Sequence, residues 1–199
     1  MPVPAERSDE ELMLAYAAGD AGAFDALYGR HRGGVYRYLL RQCRQPGIAD
    51  ELFQDVWMNL VRARASYLPS AKFTTWLYRI AHNRMVDHFR ASGHLALVSA
   101  DDEMHEDAVL ELPAARGAQP EVRAEGRALA LRLHAAVEAL PASQREAFLL
   151  QQEADLSLAE IAELTGVGAE TVKSRLRYAI AKLRAQLNDL DEDMREEAG

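Results

Sequence analysis

Six side chains able to hold a nucleic acid, Lys173, Ser174, Arg175, Arg177, Tyr178 and Lys182, fall within ten residues. At about 100° per residue, Val172, Leu176, Ala179, Ile180 and Leu183 make one apolar stripe, and Lys173, Ser174, Arg177 and Tyr178 point away from it. A helix about 10–12 Å wide with outward donors fits the major groove of duplex DNA, which is about 12 Å wide. On such a surface Arg177, outward and mid-helix, suits a base or backbone contact, while Lys173, Arg175 and Lys182 suit phosphates. A second cluster lies in Phe73 to Arg90, where Trp76, Arg79, Asn83 and Arg84 alternate with Leu77, Ile80, Ala81 and Val86. Rings interleaved with cations suit unpaired bases: each base has a face for stacking and each phosphate attracts an arginine. Asn83 can read a base edge there, and Trp76 either stacks on a base or packs the protein's own core. A third set, Glu51, Gln54 and Asp55, is the outward polar face of a helix whose Leu52, Val56 and Leu60 point inward.

The elements that must carry these sets read as helices. Ser8-Asp-Glu-Glu11, Ser143-Gln-Arg-Glu146 and Ser157-Leu-Ala-Glu160 all have the S-x-x-E form in which serine and glutamate cap a helix start reciprocally. The pattern predicts helices from Ser8 to about Gly19, Ala23 to Cys43 with a break at Pro46-Gly47, Ala49 to Ala65, and Thr74 to Ala91. After Ser92-Gly93, residues 93–120 have poor periodicity and two prolines, the pattern of a flexible acidic linker. Further helices are predicted over Glu121 to Ala139, Ser143 to Glu153, Leu158 to Leu164, and Ala169 to Leu187. Ser157 to Leu187, with its turn at Thr165-Gly166-Val167, reads as a helix-turn-helix. The fold class expected is all-α, two small helical bundles over 8–92 and 121–187 joined by the linker, with an acidic tail over 188–199 expected to be solvated and flexible.

Composition excludes several functions. The 199 residues carry a formal charge of -8, which argues against a nucleic-acid partner until the charge is mapped. Residues 1–92 hold twelve Lys/Arg against ten Asp/Glu, whereas 93–120 hold one against six. The cations are concentrated in the two candidate DNA stretches, and the acids in the linker and tail. One cysteine, Cys43, rules out an internal disulfide or a Cys-x-x-Cys metal site, and the six histidines show no ligand spacing. Metal and cofactor sites are therefore not expected. With no phosphate loop, nucleophile elbow or HExxH, an enzyme is not expected either. No apolar run spans a membrane and Met1 to Arg7 has no signal core, so the expected location is cytoplasmic.

The order ELFQDVW, KFTTWLYRIAHNRMVDHFR, acidic linker, then ALPASQREAFLLQQEADLSLAEIAELTGVGAETVKSRLRYAIAKLR resembles the extracytoplasmic-function (ECF) group of bacterial RNA polymerase sigma factors. The resemblance covers nearly the whole chain. It implies a transcription initiation factor whose partners are core RNA polymerase, promoter DNA and an anti-sigma factor. In that family domain two, matching 8–92, binds the clamp helices of the largest polymerase subunit through the surface matching Glu51, Gln54 and Asp55. The same domain opens the −10 element with the stretch that holds Trp76, Arg79, Asn83 and Arg84. Domain four, matching 121–187, rests on the polymerase flap and reads the −35 element with the helix that holds Lys173 to Lys182. The competing expectation is a classical helix-turn-helix regulator that binds duplex DNA as a dimer without polymerase. That would leave FTTWLYRIAHNRMVD unexplained.

Overall fold

The computed structural model describes residues 7–92 and 132–197, with side chains through 187. The predicted linker and the first part of the predicted helix at 121–139 lie outside the described residues. Among those described every regular element is helical: α1 Asp9–Ala17, α2 Ala21–Cys43, α3 Pro46–Ala63, a 3-10 turn at Arg64–Ser66, α4 Phe73–Ala91, α5 over 132–139, α6 Ala142–Ala154, α7 Leu158–Thr165 and α8 Ala169–Glu197.

Local chemistry sets most of the boundaries. Ser8 and Ser157 form the expected capping boxes with Glu11 and Glu160. Each cap is worth about 1 kcal/mol. Asp20 caps α2 by accepting from the Ala23 N–H at 3.2 Å. Gly166, at φ 72°, takes the left-handed conformation that ends α7 and turns the chain toward α8.

Three expectations are corrected. Pro46 lies at the start of α3 and does not break the chain before it. Proline fits there because the first helical N–H has no partner to lose, and Gln45 before it is extended, as a residue preceding proline prefers. The capping box at Ser143 does not form, because α6 begins at Ala142 behind Pro141. Ser143 and Glu146 are instead buried inside the helix. The tail does not leave the fold as loose chain: α8 continues through Glu197, since extending an existing helix fixes only one residue per new hydrogen bond and no proline or glycine intervenes.

In the N-terminal bundle α2 packs against α1, α3 and α4, around Met13, Leu27, Val35, Leu39, Val56, Leu60, Phe73 and Leu77, all fully buried or nearly so. Aromatic rings fill one side of it, with Tyr28 and Trp57 meeting edge-on at a centroid distance of 4.8 Å. In the C-terminal bundle α8 packs on α6 and α7. Val172, Leu176, Ala179 and Leu183 bury the predicted stripe with Ile161 and Leu164, while Ile180 is half-buried. The two bundles also touch: α6 lies along α2, and α4 meets α6 and α7.

Candidate nucleic-acid interface

The helix-turn-helix holds its polar set as the spacing requires. Burial of Val172, Leu176, Ala179 and Leu183 fixes the rotation of α8 and leaves Lys173, Arg177 and Lys182 exposed, with Ser174, Arg175 and Tyr178 half-buried at its flanks. Arg177 contacts its neighbour Tyr178. Its Nη2 donates to Tyr178 Oη at 3.1 Å, and its guanidinium lies 4.9 Å from the Tyr178 ring centroid. At an exposed site such a cation–π contact is worth about 0.5–1 kcal/mol. Lys173 pairs with Glu170 at 3.6 Å, with both side chains largely in solvent, so the pair gives way easily to a stronger anion.

On α4 the predicted residues divide. Trp76 is half-buried and its ring packs on Tyr67 and Phe73 at 5.0 and 6.0 Å, so the indole closes the end of the bundle. Asn83 is exposed. Arg84 Nη2 donates to Asp55 Oδ2 at 2.5 Å, and Nη1 lies 3.7 Å from Asp87. The structure thus joins Asp55, taken from the α3 set, to Arg84, taken from the α4 set. Glu51 and Gln54 lie exposed along the same face of α3 as Asp55.

Arg79 has a partner that no local pattern announces: its Nη2 donates to Glu163 Oε1 of α7 at 2.6 Å. That bond belongs to a row between the two bundles. Thr75 Oγ1 donates to Glu160 Oε1 at 2.7 Å. His82 Nδ1 lies 2.7 Å from Glu146 Oε1, which also accepts from Tyr38 Oη at 3.4 Å. Glu153 accepts from Arg37 Nη2 at 2.7 Å and from Arg41 Nη1 at 2.9 Å, and its carbonyl accepts from Tyr78 Oη at 3.0 Å. Gly34 sits under this last contact. A methyl there would lie 2.8 Å from Tyr78 Oη and 3.2 Å from the Glu153 carbonyl oxygen, so only glycine lets α6 come this close to α2. Burial works against the charge on Glu160, but the Ser157 hydroxyl and N–H, the Thr75 hydroxyl and Lys72 outweigh it and hold the carboxyl down at about 2. Bonds from Arg37 to Glu153 raise the arginine further above its ordinary value.

Behind the row, a cavity of about 600 Å³ lies between the bundles, lined by Cys43, Ile48 and Phe89 on one side and Leu140, Pro141 and Arg145 on the other. Burial pushes the Cys43 thiol up to about 11. It lowers Arg145, beside Arg44, to about 10. Among the described residues no group of histidine, cysteine and carboxylate side chains could hold a metal, and no helix is long and apolar enough to cross a membrane.

Two family descriptions match the chain in this order: Sigma-70 region 2 over residues 27–94 and Sigma-70, region 4 over residues 130–183. The ECF RNA polymerase sigma factor SigM of Mycobacterium tuberculosis is 34% identical over 189 residues, 94% of this chain and 88% of the relative. This chain is an ECF RNA polymerase sigma factor. As such it is a transcription initiation factor, which directs RNA polymerase to promoters; sigma factors as a family are non-enzymatic. The alternative of a classical regulator has no support in these matches. Another relative of the sigma factor, CarQ of Myxococcus xanthus, is 28% identical and covers 90% of this chain and 97% of its own. Among solved structures, CnrH in complex with the cytosolic domain of CnrY superposes with a TM-score of 0.62 at 22% identity, covering 92% of this chain and 99% of that one. RpoE of Bartonella quintana, solved with the anti-sigma factor NepR, gives 0.60 at 22% identity, with 83% and 96% covered. Both share the fold.

Proposed function

We propose that this sigma factor divides its work between a domain two over 8–92 and a domain four over 121–187, and acts in the cytoplasm. Glu51, Gln54 and Asp55 anchor core polymerase. Asn83 reads an unpaired base of the −10 element, with Trp76, Arg79 and Arg84 supporting the strand. Arg177 reads the −35 element, and Lys173, Ser174, Arg175, Tyr178 and Lys182 hold its backbone. An anti-sigma factor restrains the chain, as NepR partners the related RpoE. The observation that carries this reading is the rotation of α8. Its buried stripe turns the basic set outward on a helix-turn-helix, in a chain whose other half matches Sigma-70 region 2.

The anchor can be tested apart from the Arg84 contact, because Glu51 and Gln54 are exposed and do not share Asp55's bond. Losing a close charged contact across an interface costs about 2–5 kcal/mol. Glu51→Arg/Gln54→Arg should therefore weaken core binding by at least about thirtyfold in a fluorescence titration. Its circular dichroism should remain helical. Wild-type affinity for core polymerase refutes the anchor.

A further inference from the structure

The cavity of about 600 Å³ has the size of a small-ligand site, for which about 300–1,000 Å³ is usual. Its wall carries charge of one sign: Arg44, Arg145 and His88 line it, and no aspartate or glutamate does. Arg145 is only 4% exposed. Its Nε donates to Gln42 Oε1 and its Nη1 to the carbonyls of Glu138 and Leu140, while its Nη2 meets no acceptor among the described residues. Gln42, also buried, has its amide oxygen on Arg145 and an Nε2 with no hydrogen-bond partner among them. A buried donor without a partner is costly, so two of them lining one cavity mark a place built to receive an acceptor. Arg44 adds a second cation at a position that favours glycine. It ends α2 in the left-handed conformation, at φ 58°, and its guanidinium reaches the Glu138 carbonyl. Two helices also start at the wall, α3 behind Gln45 and α6 at Pro141 and Ala142, and neither start has a side-chain cap. Helix starts attract anions. Burial lowers Arg145, and Arg44 lowers it further against the pull of Glu138 and Glu146, so the two guanidiniums repel one another. Ile48, Phe89 and Leu140 add apolar surface.

We propose that this cavity is a binding site for a small organic anion, a single carboxylate or phosphate head on an apolar body of at least one ring. The head lies between Arg44 and Arg145, where Arg145 Nη2 and Gln42 Nε2 donate to it and the starts of α3 and α6 add their positive ends. The body lies against Ile48, Phe89 and Leu140. Burial keeps the Cys43 thiol neutral, so no thiolate competes for the cations. None of the residues proposed above for core polymerase, the −10 element or the −35 element lines the cavity, so the ligand site stands apart from all three.

The test is calorimetric titration of the full chain, without polymerase or DNA, using three probes with one apolar body: benzoate, phenyl phosphate and uncharged benzyl alcohol. Two variants change the site differently and leave buried Arg145 in place. Arg44→Gly removes a cation while keeping the left-handed turn, which glycine adopts freely. Ile48→Trp fills the cavity and keeps both cations. Arg32→Gln, exposed elsewhere on α2, removes the same charge away from the cavity. At least one anion should bind wild type with a Kd below about 1 mM, within what a ligand of roughly ten heavy atoms reaches. Benzyl alcohol should bind at least about tenfold more weakly, because hydrogen bonds to charged groups are lost. Arg44→Gly and Ile48→Trp should each lose at least about tenfold for that anion, and Arg32→Gln should match wild type. The tighter anion identifies the head group as carboxylate or phosphate, and either supports the site. Absence of binding by both anions at 1 mM overturns the proposal. Benzyl alcohol binding as tightly as the anions overturns the recognition of charge. Undiminished anion binding by Ile48→Trp or by Arg44→Gly places the anion outside the cavity and also overturns it.

Discussion

Two glycines of one helix give opposite expectations for the same substitution. Alanine in place of glycine in a helix interior gains about 0.5–1 kcal/mol, because the unfolded glycine has more backbone freedom to lose. At Gly29 of α2 an added Cβ meets nothing within 4 Å. Gly29→Ala should therefore take the whole gain, raising the melting temperature by about 1–4 °C for a chain of this size. At Gly34 the same methyl lies 2.8 Å from Tyr78 Oη and 3.2 Å from the Glu153 carbonyl oxygen. Tyr78 must swing and its 3.0 Å bond to that carbonyl must break, a loss of about 1 kcal/mol. Crowding in a well-packed contact adds about 1–3 kcal/mol. After subtracting the helical gain, Gly34→Ala should be about 1–3 kcal/mol less stable than wild type. Urea titrations followed by circular dichroism measure both variants under one condition. If Gly34→Ala stabilises the chain as much as Gly29→Ala, α6 does not sit on α2 in solution, and the row of ion pairs between the bundles does not exist there.

Acid should loosen the same contact through Glu160. Its carboxyl is held at about 2 against an ordinary 4.5, so its contribution is complete above about pH 5 and is lost as the pH falls toward 2. Urea midpoints between pH 7 and pH 3 should fall less steeply in Glu160→Gln, which starts from a lower stability at pH 7. On α8, Arg177→Ala should cost holoenzyme about 1–3 kcal/mol of preference for a matched over a scrambled −35 element, whereas Lys182→Ala should weaken both templates and flatten the salt slope by about one unit. Electrophoretic titrations across a salt series separate the two.

What the sequence made legible was local. Ser8 and Ser157 cap through residues three positions away, and the stripe from Val172 to Leu183 declares its own buried side. The orientation of Lys173 and Arg177 followed from that stripe alone. Ser143-Gln-Arg-Glu146 has the same local form and misled, because Glu146 is claimed by Tyr38 and His82, 108 and 64 residues away. His82 looked like a scattered histidine for the same reason. Glu153 and Glu163 read as acidic background and Glu160 only as a cap, since their partners Arg37, Arg41, Thr75 and Arg79 belong to the other bundle. One signal was available: adjacent glycines inside α2, with no turn there to need them, mark a place where another backbone comes close.

Chain order gives the contact between α2 and α6 a history. Arg37 and its acceptor Glu153 are 116 residues apart, so α2 leaves the ribosome well before the carboxylates that will cover it are made. At about 5–20 residues per second, that interval lasts roughly 6–23 seconds. During it a newborn N-terminal bundle shows its arginines, with no glutamate from α6 or α7 yet available to meet them. Each molecule is thus synthesised open and closes late, and the first encounters of that face take place while translation is still under way.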